Sequence, residues 1–295
     1  MAINLKGRVC VVTGAARSIG LAIAERYAQD GAKVAIIDIN PAVREEAARL
    51  SASGATVKGY QLDITDREVV LKCFGRIVEA LGPIYCLVNN AGLVDQRPFE
   101  QITPEQMDRI MRVNVHGTLY CIQGAVPSMR GLKDGRIINF SSKSGKTGSA
   151  LMAHYSAAKG AIIALTQALA FELAEANIKV NCVCPGITAG TGVWNEVSKA
   201  YTENLQLPRE EVIRKFKSTG RLPSVIYVCG PRSLLARVAQ MAALEDIPCQ
   251  VSLEEYMACG MGACMGCAVK TRTQPDSYQL VCKDGPVFEG QEIPW

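Results

Sequence analysis

The chain has 295 residues, of which 48% are hydrophobic and 20% are charged, and its net charge is +4. This composition excludes a disordered or fibrous chain. The balanced charge does not indicate binding to nucleic acid or to an anionic membrane surface. No apolar run approaches the ~20 residues of a membrane-spanning helix, and a strand pattern starts too early for a signal peptide, so we expect a cytoplasmic protein.

Residues 1–222 alternate short apolar runs with amphipathic stretches. The amphipathic, helical period is clearest at 18–29, 104–129 and 153–176. Strands that alternate with helices are typical of an α/β fold, here a Rossmann-like doubly wound parallel sheet with helices on both faces. The predicted strands are 8–13, 33–38, 56–63, 84–89, 135–141 and 178–184.

The first predicted strand runs into a glycine-rich turn, Thr13–Gly20, and then into a helix. Glycines in such a turn let the backbone approach a pyrophosphate, while the helix N-terminus supplies unpaired N–H groups. The second strand ends at Asp38, where a carboxylate can bind a ribose 2′-hydroxyl and repel a 2′-phosphate. The pattern predicts an NAD(H) site, with NAD preferred over NADP. The alternative is that Asp38 only caps the end of its strand.

Further motifs occur in the order and spacing of the short-chain dehydrogenases/reductases, which residues 3–222 resemble. Tyr-x-x-x-Lys is weak by itself, but a serine 13 residues before the tyrosine and the glycine turn make the set specific. The matching positions are Asn89-Asn90-Ala91-Gly92, Asn114, Ser142, Tyr155-Ser156-Ala157-Ala158-Lys159 and Pro185-Gly186.

The chemistry of a secondary alcohol oxidation fits these residues. A hydride leaves a carbinol carbon only as the hydroxyl proton is removed, and the reference pKa of tyrosine, ~10, is too high for a base near neutrality. Lys159 lies one helical turn after Tyr155, and its ammonium stabilises the phenolate. The resemblance implies that Ser142 binds the substrate oxygen and that Asn114 helps to place a water that links Lys159 to solvent. The predicted catalytic residues are Asn114, Ser142, Tyr155 and Lys159.

The resemblance also implies the cofactor contacts. Asp63 and Ile64 would flank the adenine, and Ile187 and Thr188 would face the nicotinamide amide. Ser18 stands where many members have glycine, and serine fits there if its φ is negative. We expect His154 at the pocket edge or on the surface. The predicted cofactor-binding residues are Gly14, Arg17, Ser18, Ile19, Gly20, Asp38, Asp63, Ile64, Asn90, Ala91, Gly92, Tyr155, Lys159, Pro185, Gly186, Ile187 and Thr188.

The segment after Gly186 is similar to the substrate loop of sorbitol- and galactitol-type polyol dehydrogenases. Trp194 either packs over a sugar alcohol or anchors the loop. Few charges lie near the start of the loop, which suits a neutral polyol, ketose or small alcohol as the substrate.

The last 73 residues hold six of the twelve cysteines. Four follow the C-x₄-C-x₂-C…C spacing of plant-type 2Fe–2S sites, namely Cys259, Cys264, Cys267 and Cys282. Zinc is the alternative, although its usual ligands come as two spaced pairs. Residues 225–295 resemble the C-terminal part of the electron-transfer subunit of dihydroorotate dehydrogenase. A small plant-ferredoxin-like 2Fe–2S module is therefore expected at the C-terminus.

We divide the chain into a dehydrogenase domain at 1–222, a strand–helix junction at 223–245 and an iron–sulfur module at 246–295. The family normally continues past Arg221 with a further helix and a seventh strand, which are missing here. We expect 225–229 to take the place of that strand, parallel to its neighbour, and 231–244 to pack on the sheet as a helix. A homo-oligomer, dimer or tetramer, could still form through the helices at 104–129 and 153–176.

Three functional hypotheses follow. The first is an NAD-dependent alcohol or polyol dehydrogenase with an appended iron–sulfur module. The second is an electron-transfer protein that works with a flavoprotein partner, because a hydride carries two electrons and a 2Fe–2S cluster takes one. The third is a fusion whose dehydrogenase half is inactive.

Overall fold

The computed structural model describes residues 5–186, 226–229, 232–244, 249–252, 268–272, 278–280 and 287–294. Six strands of the first part form a parallel sheet in the order β3-β2-β1-β4-β5-β6. The strand order reverses between β1 and β4, where open α/β sheets bind their ligands. The predicted doubly wound sheet is confirmed. Its strands are β1 Val9–Thr13, β2 Lys33–Asp38, β3 Val57–Gln61, β4 Ile84–Asn89, β5 Gly135–Phe140 and β6 Ile178–Val183.

Helices connect these strands. The predicted helix at 18–29 has the expected bounds, but the one predicted at 104–129 is divided by a π turn, Arg112–His116, and the one at 153–176 ends at Glu172. None of the described helices is long and apolar enough to cross a membrane. The helices are α1 Ser18–Gln29, α2 Ala42–Ser51, α3 Arg67–Leu81, α4 Pro104–Met111, α5 Gly117–Leu132, α6 Lys143–Thr147 and α7 Ala153–Glu172.

The core lies on both faces of the sheet. Every side chain of β1 and of β4 is buried, as expected for central parallel strands covered on both sides. One core cluster includes Phe74 of α3 and Met129 of α5, and the other includes Ala24 of α1 and Leu50 of α2. Burial of this apolar surface holds the C-terminal ends of β1 and β4 at one edge of the sheet, where the motif residues follow.

Ser18 adopts the left-handed conformation, with φ +54°. The condition under which serine was expected to fit, a negative φ, is not met, because the turn between β1 and α1 keeps the backbone conformation for which the family's glycine is suited. A side chain with a β-carbon is strained there by about 1–2 kcal/mol.

We expect Ser18→Gly to raise the melting temperature. Glycine removes the strain but adds freedom to the unfolded chain, so the net gain in unfolding free energy is about 1 kcal/mol or less. Ser18→Ala is the matched control, because alanine also loses the hydroxyl and keeps the β-carbon. Thermal unfolding of both variants in which alanine stabilises as much as glycine would contradict the assignment of strain.

The described parts of the tail continue the sheet. Beyond β6 come β7 Ile226–Cys229, β8 Cys249–Ser252 and β11 Val287–Glu289, and α8 Arg232–Leu244 contacts β7 and β8. β7 lies beside β6 but runs antiparallel to it, with Val228 opposite Val183, so the expected parallel pairing is wrong. β7 and β8 are parallel to each other and are connected through α8. Together they run antiparallel to β6, and antiparallel strands are common beside an otherwise parallel sheet.

Candidate active site

The turn after β1 depends on two glycines. Gly14 has φ +64°, and a β-carbon on Gly20 would lie 2.2 Å from the Gly14 carbonyl oxygen, so only glycine fits at position 20. The turn is fastened to the segment after β4, because Thr13 Oγ1 accepts hydrogen bonds from the N–H groups of Asn90 (3.2 Å) and Ala91 (3.1 Å). Asn90 Nδ2 in return donates to the Gly14 carbonyl at 3.0 Å.

The N-terminus of α1 points out of this turn. Its N-cap residue, Arg17, is exposed, and the Arg17 side chain does not cap the first turn of the helix. The N–H groups of a first turn and the helix dipole suit a pyrophosphate. Asp38 lies beside the same turn, where its carboxylate accepts the Ala16 N–H at 3.0 Å and the Asn40 N–H at 2.9 Å. The residues therefore fit a dinucleotide: glycines allow close approach, the start of a helix suits a phosphate, and a fixed carboxylate lies at the end of β2.

The other predicted cofactor residues fall at the same edge of the sheet. Asp63 is exposed and accepts the Thr65 N–H at 2.9 Å, whereas Ile64 is buried and packs against Gly117. Ile19 is half-buried in the first turn of α1. The carbonyl of Pro185, next to Gly186, accepts the Lys143 N–H at 3.0 Å. The predictions for Ile187, Thr188 and Trp194 lie outside the described residues.

Asn114 lies in the π turn that divides the predicted long helix. Its side chain is fully buried, and Nδ2 donates to the carbonyls of Leu93 (2.9 Å) and Ile110 (3.0 Å). Single π turns occur often at functional sites, because the extra residue redirects a side chain. A β-carbon on Gly92 would lie 2.9 Å from Asn114 Oδ1 and 3.2 Å from Lys159 Nζ, so Gly92 lets these two side chains approach the same backbone segment.

Ser142, Tyr155 and Lys159 are brought together. Ser142 follows β5 and caps α6, while Tyr155 and Lys159 lie one turn apart in α7. Lys159 Nζ is 5.8 Å from the centre of the Tyr155 ring and donates to the Phe140 carbonyl at 2.9 Å. The Ser142 hydroxyl lies close enough to Tyr155 to lower the pKa of the tyrosine. The predicted catalytic set thus forms one cluster at the carboxyl end of β5.

The protonation of this cluster is set by burial. Burial raises the pKa of Tyr155 above its usual value, and the nearby Ser142 hydroxyl opposes that rise. Burial lowers the pKa of Lys159 to about 8, against smaller opposing effects of the Cys182 and Cys184 thiols. Lys159 is therefore charged below about pH 8. Positive charge close to the Tyr155 oxygen lowers the pKa of the tyrosine. The Lys159 ammonium supplies part of this charge, and more is needed for Tyr155 to lose its proton near neutrality.

Of the two places expected for His154, the pocket edge and the surface, the surface is wrong, because the side chain is buried. Its side chain is only 1% exposed, and Nε2 lies 3.2 Å from Asp95 Oδ2. Asp95 also accepts two hydrogen bonds from Arg97, from Nε at 2.7 Å and from Nη2 at 3.1 Å. Sequence reasoning missed Asp95 and Arg97. Their position within a few residues of the Asn-Asn-Ala-Gly motif was the available signal.

The predicted cluster ligands Cys259, Cys264, Cys267 and Cys282 lie outside the described residues. Next to them, β9 Ala268–Val269 pairs antiparallel with β10 Gln279–Leu280, and Leu280 is opposite Ala268. Ala268 follows Cys267 in the chain, and Leu280 lies two residues before Cys282. The two residues close to these cysteines are therefore paired at one end of the ladder. Within the described residues, no group of three or more potential ligand side chains could hold a metal ion.

The fold and this cluster are typical of oxidoreductases whose sheet carries a dinucleotide site at this edge. The family profile described as short chain dehydrogenase matches residues 8–202. The chain belongs to this family. Residues 254–294 match a second profile, the iron–sulfur cluster binding domain of dihydroorotate dehydrogenase B.

Several polyol dehydrogenases are similar to the first part of the chain. Sorbitol dehydrogenase of Cereibacter sphaeroides is 40% identical over 215 residues, which are 72% of this chain and 82% of that protein. Galactitol 2-dehydrogenase of Agrobacterium fabrum is 37% identical over 201 residues, covering 68% of this chain and 77% of that protein. A crystal structure of NAD⁺-bound xylitol dehydrogenase superposes with a TM-score of 0.64 at 34% identity, over 66% of this chain and 76% of that one. The chain is thus an oxidoreductase of this family, related to enzymes that act on alcohols.

Proposed function

We propose that the protein oxidises a secondary alcohol of a polyol or sugar alcohol to the ketone, with NAD as the acceptor, and catalyses the reverse reaction. The observation that carries this proposal is the cluster of Ser142, Tyr155 and Lys159 beside a glycine turn that fits a dinucleotide. The similarity to sorbitol, galactitol and xylitol dehydrogenases supports a polyol as the substrate.

In the mechanism, each side chain has one role. The Ser142 hydroxyl donates to the substrate oxygen and holds it beside Tyr155. The Tyr155 oxygen takes the hydroxyl proton, while the Lys159 ammonium stabilises the resulting phenolate. Asn114 holds the backbone of Leu93, which follows Gly92, the residue that lies close to Lys159. NAD held at the glycine turn would supply the hydride acceptor, so that one alcohol and one NAD would give one ketone, one NADH and one proton.

The residues that would hold the dinucleotide are those of the glycine turn and its neighbours. The amides at the start of α1 would bind the pyrophosphate, and Asp38 would bind the adenosine ribose. Two backbone N–H groups fix the Asp38 carboxylate, so it cannot turn away from a 2′-phosphate. This is the basis for the proposed preference for NAD over NADP.

Asp38→Asn tests this preference. Asparagine keeps an oxygen that can accept the Ala16 N–H but loses the negative charge, so we expect kcat/KM with NADP, relative to NAD, to rise about tenfold, or about 1.4 kcal/mol. Asp30→Asn removes an exposed carboxylate at the end of α1 that is paired with Arg26, and it should leave the ratio unchanged. An Asp38→Asn ratio equal to that of the wild type would argue against the assigned role.

Incubation of the wild-type protein with NAD and a panel of polyols, ketoses and simple secondary alcohols tests the proposed activity. We expect NADH to form from at least one polyol. A protein that binds NADH but reduces NAD with none of these substrates would show that the dehydrogenase half does not catalyse this reaction.

The profile match at 254–294 favours a second function for the tail, the binding of a 2Fe–2S cluster by Cys259, Cys264, Cys267 and Cys282. Four thiolates are the donor set that such a cluster takes. The pairing of β9 with β10, whose ends lead to Cys267 and Cys282, supports a site that uses both of these cysteines. Because the cluster carries one electron and a hydride two, electron exchange between the halves needs a flavoprotein partner. Anaerobic purification followed by iron and sulfide analysis tests this, and an iron-free folded protein would count against it.

A further inference from the structure

Residues 93–97, called here the strap, are hydrogen-bonded at both ends to segments that carry or precede catalytic residues. At one end, Leu93 exchanges two hydrogen bonds with Asn114: its N–H donates to Oδ1 at 3.3 Å, and its carbonyl accepts from Nδ2 at 2.9 Å. At the other end, the Arg97 N–H donates to the carbonyl of Leu151 at 2.8 Å, four residues before Tyr155. The strap therefore spans from Asn114 to the chain that leads into the start of α7.

Asp95, in the middle of the strap, is held from two sides. The guanidinium of Arg97 binds both of its oxygens, and His154, the residue before Tyr155, binds one of them. The hydrogen bonds from Arg97 and His154 outweigh partial burial and lower the pKa of Asp95 below its usual range. The carboxylate is thus ionised and accepts only, so His154 donates its Nε2–H. The position of Asp95 is fixed relative to the catalytic tyrosine.

This network leaves capacity for a ligand. The side chains of Asp95 and Arg97 remain 27% and 31% exposed. A carboxylate has about four acceptor positions, of which three are used here, and only two of the five N–H groups of arginine go to Asp95. Between these residues, the amide oxygen and nitrogen of Gln96 are both buried, without a hydrogen-bond partner among the described residues. Buried polar atoms of this kind need a partner that the described residues do not supply.

We propose that Asp95 and Arg97 form a substrate subsite that recognises a second hydroxyl group of the polyol, beyond the one that is oxidised. The inference rests on the proposed dehydrogenase function and adds the residues that select the substrate. A hydroxyl group donates and accepts, so it can donate to Asp95 and accept from Arg97 at once. A simple secondary alcohol has no such group and leaves the charged pair without that partner.

His154 is a positioning residue in this account. Its Nε2–H ties Asp95 to the first turn of α7, which carries Tyr155, and so fixes the distance between the subsite and the reacting hydroxyl. A glutamine side chain can also donate an N–H to Asp95, whereas alanine cannot.

The test compares xylitol with cyclopentanol as substrates of the wild type and of Asp95→Asn, with NAD. A site that hydrogen-bonds a substrate hydroxyl discriminates strongly against analogues without it. We expect Asp95→Asn to lower kcat/KM for xylitol about 100-fold, mainly through KM, and to change kcat/KM for cyclopentanol by less than about threefold. Equal losses on both substrates would overturn the subsite. A wild type that oxidises neither alcohol would overturn the proposed function and this subsite with it.

Three further variants and a control test the subsite even if Asp95→Asn unfolds. Arg97→Gln should show the same selective loss, with a melting temperature near that of the wild type as the check on folding. His154→Gln should retain most of the preference for xylitol, and His154→Ala should lose it. The chain has only one other histidine, His116, which is exposed, so His116→Gln is the matched control and should change nothing. Loss of preference in His116→Gln as well would contradict the assignment.

Discussion

Tyr155→Phe should lower kcat for polyol oxidation by at least about 1,000-fold, because phenylalanine cannot take the hydroxyl proton and general-base catalysis contributes factors of this size. The ring is partly buried and packs beside Lys159, so phenylalanine keeps its shape and contacts. We therefore expect the melting temperature to stay close to that of the wild type. Steady-state kinetics and thermal unfolding measure the two effects.

Tyr278→Phe provides a matched control. Tyr278 also lies near a lysine, with Lys270 Nζ 5.5 Å from its ring centre, but it is 52% exposed and far along the chain from the catalytic cluster. Its loss should leave turnover unchanged. Full turnover by Tyr155→Phe would remove the tyrosine from the mechanism, and an equal loss in both variants would show a general effect on the protein.

Cys264→Ser should abolish the bound cluster, with loss of the visible absorption and of the protein's iron and sulfide. Serine is a poor ligand where a thiolate is needed, and the cysteine lies at the centre of the C-x₄-C-x₂-C spacing. The dehydrogenase activity should persist, because the residues of the catalytic cluster lie in 92–159, far from this segment in the sequence. Parallel measurement of iron content and of NADH formation separates the two halves.

Cys249→Ala is the control for this variant. Cys249 lies in β8 within the same tail, and burial raises the pKa of its thiol to about 11, so it stays a thiol rather than a ligating thiolate. Its loss should leave the iron content unchanged. Iron retained by Cys264→Ser and lost by Cys249→Ala would contradict the proposed ligand set.

Sequence reasoning predicted the parallel sheet because its signals are local. The runs at 33–38 and 84–89 are apolar at every position between their first and last residues, and the strands have those bounds. The π turn at Arg112–His116 could not be predicted, since the helical period of the residues continues through it. The direction of β7 relative to β6 could not be predicted either, because the pairing of Val228 with Val183 depends on packing between distant segments.

Some features of the candidate site could likewise be predicted from local sequence, and others could not. Tyr155 and Lys159 share a helix face by their spacing alone, and the structure places them together. The left-handed backbone of Ser18 is imposed by the turn and not by serine, whose own preference is for negative φ. The pairing of His154 with Asp95 joins residues 59 positions apart, and a sequence with no partner in view gives no signal for it.

The most direct test of the dehydrogenase function follows the transferred hydrogen. The wild-type protein would be incubated with NAD and xylitol that carries deuterium on all of its carbon atoms, and the NADH would be examined by mass spectrometry. We expect one deuterium in each NADH formed by the wild type and almost no NADH from Tyr155→Phe. NADH without deuterium, or the same yield from Tyr155→Phe, would contradict the transfer of a hydride from the carbinol carbon at this site.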